Sequence, residues 1–387
     1  MRVRSSLGRR TLRSPKCRGQ GRALILIKLG KIVSIEPELE HVSCNLCGAD
    51  DAATIYEARE SGGQRRDILR TFRASSDEML VDRLVRCRRC GLEYISPRPP
   101  AAAVVAAYSE GADPVYVSQL EGREQTFAAA VAHIESLRPG PGRLLDVGTA
   151  SGSFLAAARA RGWEVDGCEP NRWLAQWGSR HYGLHIRPGE LFDQDFAPAS
   201  FDVGTLWDVV EHTPDPTRVI KHVAALLKPG GLLVVNYPDR GSWLPRLLGR
   251  KWPFLSSVHF YYFTRRTIAR LLEAHGFEIV EMRPHVQWLQ IDYLLTRAEV
   301  VSATPARVLR RIARALGQAK RQAPYWIGQT FVAARKSARQ GANMMLASIH
   351  GLGDLSISQR LAGDASVLPF TLEPDLVRLG FVCLTSV

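Results

Sequence analysis

Twelve residues, Leu144 to Leu155 (LLDVGTASGSFL), constrain the fold of this chain more than any others. An apolar run passes through Asp146, turns through Gly148 and Gly152, and restarts as an apolar periodic segment. That order predicts a buried strand, a tight loop and the first turn of a helix. Only glycine turns this sharply and still lets a ligand approach the backbone closely. About twenty residues further on, the strand-like run Val165–Cys168 ends in Glu169, where a carboxylate accepts hydrogen bonds from a ribose diol. The pair predicts a nucleoside-cofactor site in an α/β domain with a doubly wound, Rossmann-like sheet.

A dinucleotide would need a G-x-G-x-x-G loop, so that pyrophosphate meets backbone N–H groups at the helix start. Here the second and third glycine positions hold Ala150 and Ser153, and the spacing is Gly148-x-x-x-Gly152. A carboxylate just before the loop repels pyrophosphate and suits a ligand with a cationic centre and an amino group, such as S-adenosylmethionine. At this point the chain resembles the class I S-adenosylmethionine-dependent methyltransferases. Phe201-Asp202-Val203, then Leu206-Trp207-Asp208-Val209-Val210-Glu211-His212, is similar to that family's fourth strand and the loop after it. Lys228-Pro229-Gly230-Gly231, ahead of the apolar run Leu232–Val235, also fits. The resemblance covers roughly residues 120–336. It implies a seven-stranded sheet in which Asp146, Gly148 and Gly152 cradle the methionine part of the cofactor. Glu169 would hold the ribose, Glu190 would meet the adenine, and Asp208 would line the far side of the pocket. Cys168, inside a strand, reads as a small packed hydrophobe.

The formal net charge of +13 suggests nucleic acid until it is located. Residues 1–35 carry ten Lys or Arg and residues 307–339 carry nine, neither segment with an acid, so the remainder of the chain is net −6. A nucleic-acid reader carries its basic surface beside the active site, and no nucleic-acid partner is expected here. No apolar run reaches membrane-spanning length.

Four of the seven cysteines form two matching knuckles, Cys44-x-x-Cys47-Gly48 and Cys87-x-x-Cys90-Gly91. Four sulfur ligands suit a tetrahedral structural Zn2+ and leave no open catalytic position. The thiols also point to a reducing compartment, hence a cytoplasmic location. Cys17 and Cys383 have no partners at ligand spacing. A zinc ribbon ahead of this catalytic domain resembles a bacterial subset of class I methyltransferases whose substrates include sugars and lipid-linked glycans. The expected organisation is a basic, disordered arm (1–38), a zinc ribbon (39–98), a helical linker (99–122), the methyltransferase domain (123–336) and an unassigned tail (337–387).

Between Trp243 and Phe263 lie seven aromatics, after the expected fifth strand and on the ligand side of such a sheet. They can stack on an acceptor or form the packed core of a lid. Two histidines are candidate bases for an acceptor hydroxyl: His259 in this segment and His212 at the mouth of the fourth strand. Residues 305–320, within a basic insertion at 303–322, form an amphipathic helix suited to peripheral contact with an anionic membrane surface. The expected activity is methyl transfer from S-adenosylmethionine to a small-molecule, sugar or lipid-linked glycan acceptor. An RNA methyltransferase gripping through ribbon and tails, and a binding protein without catalysis, are the rivals.

Overall fold

The computed structural model describes residues 38–59, 71–76 and 78–338. Nearly all of the basic arm and the tail, with Cys17 and Cys383, lie outside the described residues.

The chain opens with three short antiparallel strands, β1 (Ala52–Tyr56), β2 (Leu84–Cys87) and β3 (Glu93–Ile95). Helices α1 (Ala101–Glu110), α2 (Pro114–Val117) and α3 (Leu120–Leu137) follow. Then come β4 (Arg143–Val147), α4 (Ser153–Ala160), β5 (Glu164–Glu169), α5 (Arg172–Tyr182), β6 (Ile186–Pro188), β7 (Phe201–Trp207), α6 (Pro216–Leu226) and β8 (Leu227–Pro238). The last part holds α7 (Trp243–Leu248), β9 (Tyr261–Tyr262), α8 (Arg265–Glu273), β10 (Phe277–Pro284), β11 (Gln287–Gln290), α9 (Ile291–Ala298), α10 (Ala303–Ala315), β12 (Gln322–Tyr325) and β13 (Gln329–Lys336).

Seven strands make the central sheet in the order β10-β13-β8-β7-β4-β5-β6. The five strands β8, β7, β4, β5 and β6 run parallel, and β13 is antiparallel to both β8 and β10. Helices cover both faces, so these strands read as continuous apolar runs rather than alternating ones. Leu144, Val203, Leu206 and all of Leu232–Val235 are fully buried. Chain order reverses at β4: β5 and β6 lie to one side, β7 and β8 to the other. That reversal opens a crevice at the carboxyl ends of the strands.

Local signals set the helix ends. Asn171 caps α5 by accepting the Leu174 N–H at 2.8 Å, and Gly183, at φ 61°, stops it. Asp215 caps α6 ahead of Pro216 at its first position. Thr264 and Thr267 satisfy each other's backbone N–H groups at the start of α8.

The cysteine module is fused to the body. Its sheet gains a fourth strand, β9, from the segment after α7. Phe72, Val85 and Tyr94 share one core with Leu206, Val235 and Phe263. Buried Arg98 donates to the Tyr261 hydroxyl and the Pro214 carbonyl, each at 3.0 Å. Buried Glu93 on β3 pairs with Arg240 at 2.9 Å. The stretch 99–122, read from sequence as a helical linker, comprises α1, α2 and the first residues of α3. The insertion is also longer than 303–322: β11 and β12 pair as its stem, and α9 precedes the basic helix α10. No described helix is long and apolar enough to cross a membrane.

Candidate active site

The turn after β4 is built by backbone hydrogen bonds. The N–H groups of Gly148 and Thr149 both donate to the Cys168 carbonyl, at 2.9 and 3.1 Å. Gly148 sits at φ 70°, and a Cβ there would come within 2.8 Å of a Val209 methyl. A Cβ on Gly152, at φ 78°, would meet the Ile186 δ-methyl at 2.7 Å. Any side chain at either position would strain the backbone and crowd the loop. Asp146, at the end of β4, is buried and accepts a 2.6 Å hydrogen bond from the Thr205 hydroxyl. Burial pushes its carboxyl up to about 7. Glu169, at the end of the neighbouring β5, is also buried. Its two oxygens accept the N–H groups of Ala150 at 2.7 Å and Asn171 at 2.6 Å. Burial raises this carboxyl too, to about 7.

These groups floor one end of a cavity of about 620 Å³. Its walls include Asp146, Gly148, Glu169, Glu190, Asp208, His212 and His259. Of the site residues expected from sequence, only Gly152 among the non-cysteine positions stands back from the wall, at the N-terminus of α4. Glu190 is half-buried and caps the short turn Leu191–Asp193. Asp208 takes a left-handed backbone, φ 51°, and is clasped by Asn236. The Asp208 N–H donates to Asn236 Oδ1 at 2.8 Å, and Asn236 Nδ2 returns a bond to Asp208 Oδ1 at 2.7 Å. A strained, doubly held residue at a strand mouth is where functional geometry is stored.

Several walls were not legible in the sequence. Tyr108 and Tyr116 reach the cavity from the stretch read as a linker, and Arg123 lies over the Tyr116 ring at 3.9 Å. Tyr293 and Arg297 arrive from α9 in the insertion. They carry no local motif; the fold alone brings them here. The aromatic segment resolves mostly as packing. Trp252, Phe260, Tyr261, Tyr262 and Phe263 are buried, Trp243 is exposed, and Phe254 lines the cavity.

His212 and His259 stand edge to face, ring centroids 4.6 Å apart. Each donates through Nδ1 to a backbone carbonyl, Val258 at 3.0 Å and Phe254 at 2.8 Å. This leaves Nε2 of each ring with its lone pair. Burial depresses His212 to about 4 and His259 well below the ordinary histidine range, so both are neutral at pH 7.

The four knuckle cysteines converge as well. Cys44 and Cys90 sulfurs are 3.4 Å apart, Cys47 and Cys87 are 3.6 Å apart, and all four lie within 4.8 Å of one another. Zn–S bonds of about 2.3 Å set tetrahedral sulfurs about 3.8 Å apart, so the donor set fits that ion. Asn45, between the first two cysteines, grips the N-terminus of α6. Its side chain accepts the Thr217 N–H at 3.0 Å and donates to Asp215 at 2.9 Å.

Residues 120–282 match the family described as a methyltransferase domain. This stretch is a class I methyltransferase domain. Over 153 residues the chain is 25% identical to a ubiquinone biosynthesis O-methyltransferase of Aeromonas salmonicida, covering 36% of this chain and 64% of that protein. Its counterpart from Idiomarina loihiensis is 35% identical over 114 residues, with 26% and 45% covered. An uncharacterized methyltransferase of Mycobacterium sp. (strain KMS) is 37% identical over 140 residues, with 36% and 52% covered. The chain spans roughly half the length of these curated relatives. A solved S-adenosylmethionine-dependent methyltransferase from Archaeoglobus fulgidus aligns with TM-score 0.41 and 17% identity, over 58% of this chain and all of that one.

The raised Asp146 carboxyl makes a prediction about the ligand-free methyltransferase domain. A group whose folded pKa exceeds its unfolded one opposes folding increasingly as pH rises between the two values, and by a constant amount above both. Asp146→Asn removes that cost, on the order of a few kcal/mol at most. Its melting temperature relative to wild type should therefore be higher at pH 8 than at pH 4.5; an equal difference at both pH values would contradict this.

Proposed function

We propose that this protein transfers a methyl group from S-adenosylmethionine to a small-molecule acceptor. The observation that carries this reading is the cavity itself: two buried carboxylates at adjacent strand ends line it, together with the imidazoles of His212 and His259. In this reading Asp146 and the Gly148–Gly152 loop hold the cationic amino-acid end, Glu169 the ribose, Glu190 the adenine side, and Asp208 the opposite wall. When bound, S-adenosylmethionine supplies an already activated methyl group. The chain's own work is to exclude water and set the acceptor in line with it. His212 and His259 face the acceptor's end of the cavity, where a hydroxyl would lose its proton. The relatives named for O-methylation in ubiquinone biosynthesis support a hydroxyl on a small acceptor. A sugar or lipid-linked glycan hydroxyl is chemically equivalent.

Calorimetric titration of the purified protein with S-adenosylmethionine tests this. One site is expected, weakened tenfold or more (about 1.4 kcal/mol) by Asp146→Ala or Glu169→Ala. Because Asp146 must ionise to meet the cationic end, and Glu169 accepts the ribose hydroxyls best as a carboxylate, affinity should rise with pH through about 7 and then level off. No binding by wild type, or unchanged affinity in both variants, would sink the assignment.

We further propose that Cys44, Cys47, Cys87 and Cys90 hold one structural Zn2+. The ion would fix the knuckle on the N-terminus of α6, just beyond the cavity loop Asp208–Thr213. Elemental analysis should find one zinc per chain, and Cys44→Ser should lose it along with thermal stability. A metal-free wild type of full stability would refute the role.

The helix α10 supports delivery of an acceptor from an anionic membrane. Val308, Leu309, Ile312 and Leu316 are 49–67% exposed on one stripe, with Arg311 beside it, and the adjoining α9 lines the cavity. Sedimentation with anionic lipid vesicles should capture wild type, and Leu309→Glu with Ile312→Glu should abolish capture. Wild type left in the supernatant would end this proposal.

A further inference from the structure

Glu211 is an anomaly in the cavity wall. It is 2% exposed, yet neither carboxylate oxygen has a hydrogen-bond partner. Buried carboxylates are paired, hydrogen-bonded or bound to a cation, because an unsatisfied one forfeits its hydration with nothing in return. Its backbone is held in place: the Glu211 carbonyl accepts the Phe260 N–H at 2.8 Å, which fixes the loop after β7 against the aromatic segment. Beside the carboxylate stand the imidazoles of His212 and His259. The carboxylate and one nitrogen of each ring lie within 4.8 Å of one another.

The two rings are set as ligands. In each, Nδ1 is committed to a backbone carbonyl, of Val258 or Phe254, which orients the ring and leaves the Nε2 lone pair available. A histidine whose second nitrogen is fixed in this way is the usual arrangement around a protein-bound metal. All three residues line the cavity, so an ion held between them would face its interior with coordination positions open.

We infer that Glu211, His212 and His259 form a second metal site, distinct from the cysteine cluster, that binds a divalent ion at the acceptor end of the cavity. Two imidazoles and one carboxylate suit Mn2+, Fe2+, Co2+ or Zn2+ and disfavour the soft, all-thiolate chemistry of the other site. Donors about 2.0–2.2 Å from an ion stand about 3–4 Å apart, and the carboxylate and one nitrogen of each ring already lie within 4.8 Å of one another. The inference rests on the methyl-transfer reading and deepens it. An acceptor hydroxyl taking an open position on the ion would lose its proton at a lower pH than in water. Its oxygen then forms the bond to the methyl carbon as the sulfur–carbon bond breaks, the sulfur keeps that electron pair, and the proton leaves to solvent. The acceptor class so defined is a small molecule with a hydroxyl able to ligate a metal. The histidines act here as ligands rather than as the proton acceptors that the sequence suggested.

Mn2+ is the probe, because it is paramagnetic and a poor match for thiolates. Electron paramagnetic resonance of the full chain, with its cysteine site zinc-loaded and no cofactor added, should show one Mn2+ bound per chain. Glu211→Gln and His259→Gln, each checked for folding by circular dichroism, should each weaken that binding at least tenfold. Asp146→Ala should leave it unchanged while losing S-adenosylmethionine, so the two sites are scored separately. If one variant fails to fold, His212→Gln takes its place. Absence of Mn2+ binding in wild type, or binding unaltered in the folded variants, overturns the metal site without touching the cofactor assignment.

Discussion

The constraint from which the rest of this structure follows is the burial of two carboxylates at the ends of adjacent parallel strands. Asp146 and Glu169 are each removed from water. They are held there by a hydroxyl and by backbone N–H groups rather than by a cationic side chain: Thr205 for the first, Ala150 and Asn171 for the second. Such an arrangement is poor for stability and useful for binding, since the charge is left for a ligand to complete. The glycine loop, the left-handed Ala150 and the cap at Asn171 all serve that placement. The loop hydrogen-bonds across to Cys168, so β4 and β5 cannot separate without dismantling the floor.

Around this floor the cavity is assembled from pieces far apart in the chain. The cysteine module is bound into it by β9, by Arg98 across Tyr261 and Pro214, and by Asn45 on α6. Arg98 also stacks at 5.0 Å on the Phe260 ring. The turn at Cys44–Cys47 therefore reaches, through Asn45, the segment just beyond the loop that carries Asp208, Glu211 and His212. On the far side the α9–α10 excursion closes the cavity with Tyr293 and Arg297 while turning an apolar stripe to solvent.

The titratable groups that line the cavity differ in character. Burial raises the carboxyls of Asp146 and Glu169 to about 7. Burial keeps His212 and His259 neutral, and the Glu211 carboxylate beside them has no hydrogen-bond partner.

Much of the scaffold was legible from residues alone. The β4–α4 glycine loop, the β5 terminus at Glu169 and the cysteine knuckles are each written within a few consecutive positions. Their physics is local: backbone torsion, capping hydrogen bonds, and period-two or period-3.6 burial. That is why Asp146, Gly148 and Glu169 could be set at one site before any coordinates, whereas Asp208 and His212 followed from the family resemblance and His259 from the aromatic segment. Tyr108, Tyr116, Arg123 and Tyr293 could not be, because nothing in their neighbourhoods distinguishes them from packing or solvent-facing residues. The aromatic segment was ambiguous for the same reason: composition shows that rings are present, and only the packed structure separates the buried Trp252 from the cavity-facing Phe254. The fusion of the cysteine module to the body, and the orphaned Glu211 between two imidazoles, were decided by tertiary structure. Long-range pairing and burial depend on what the distant chain brings alongside, and no local pattern encodes that.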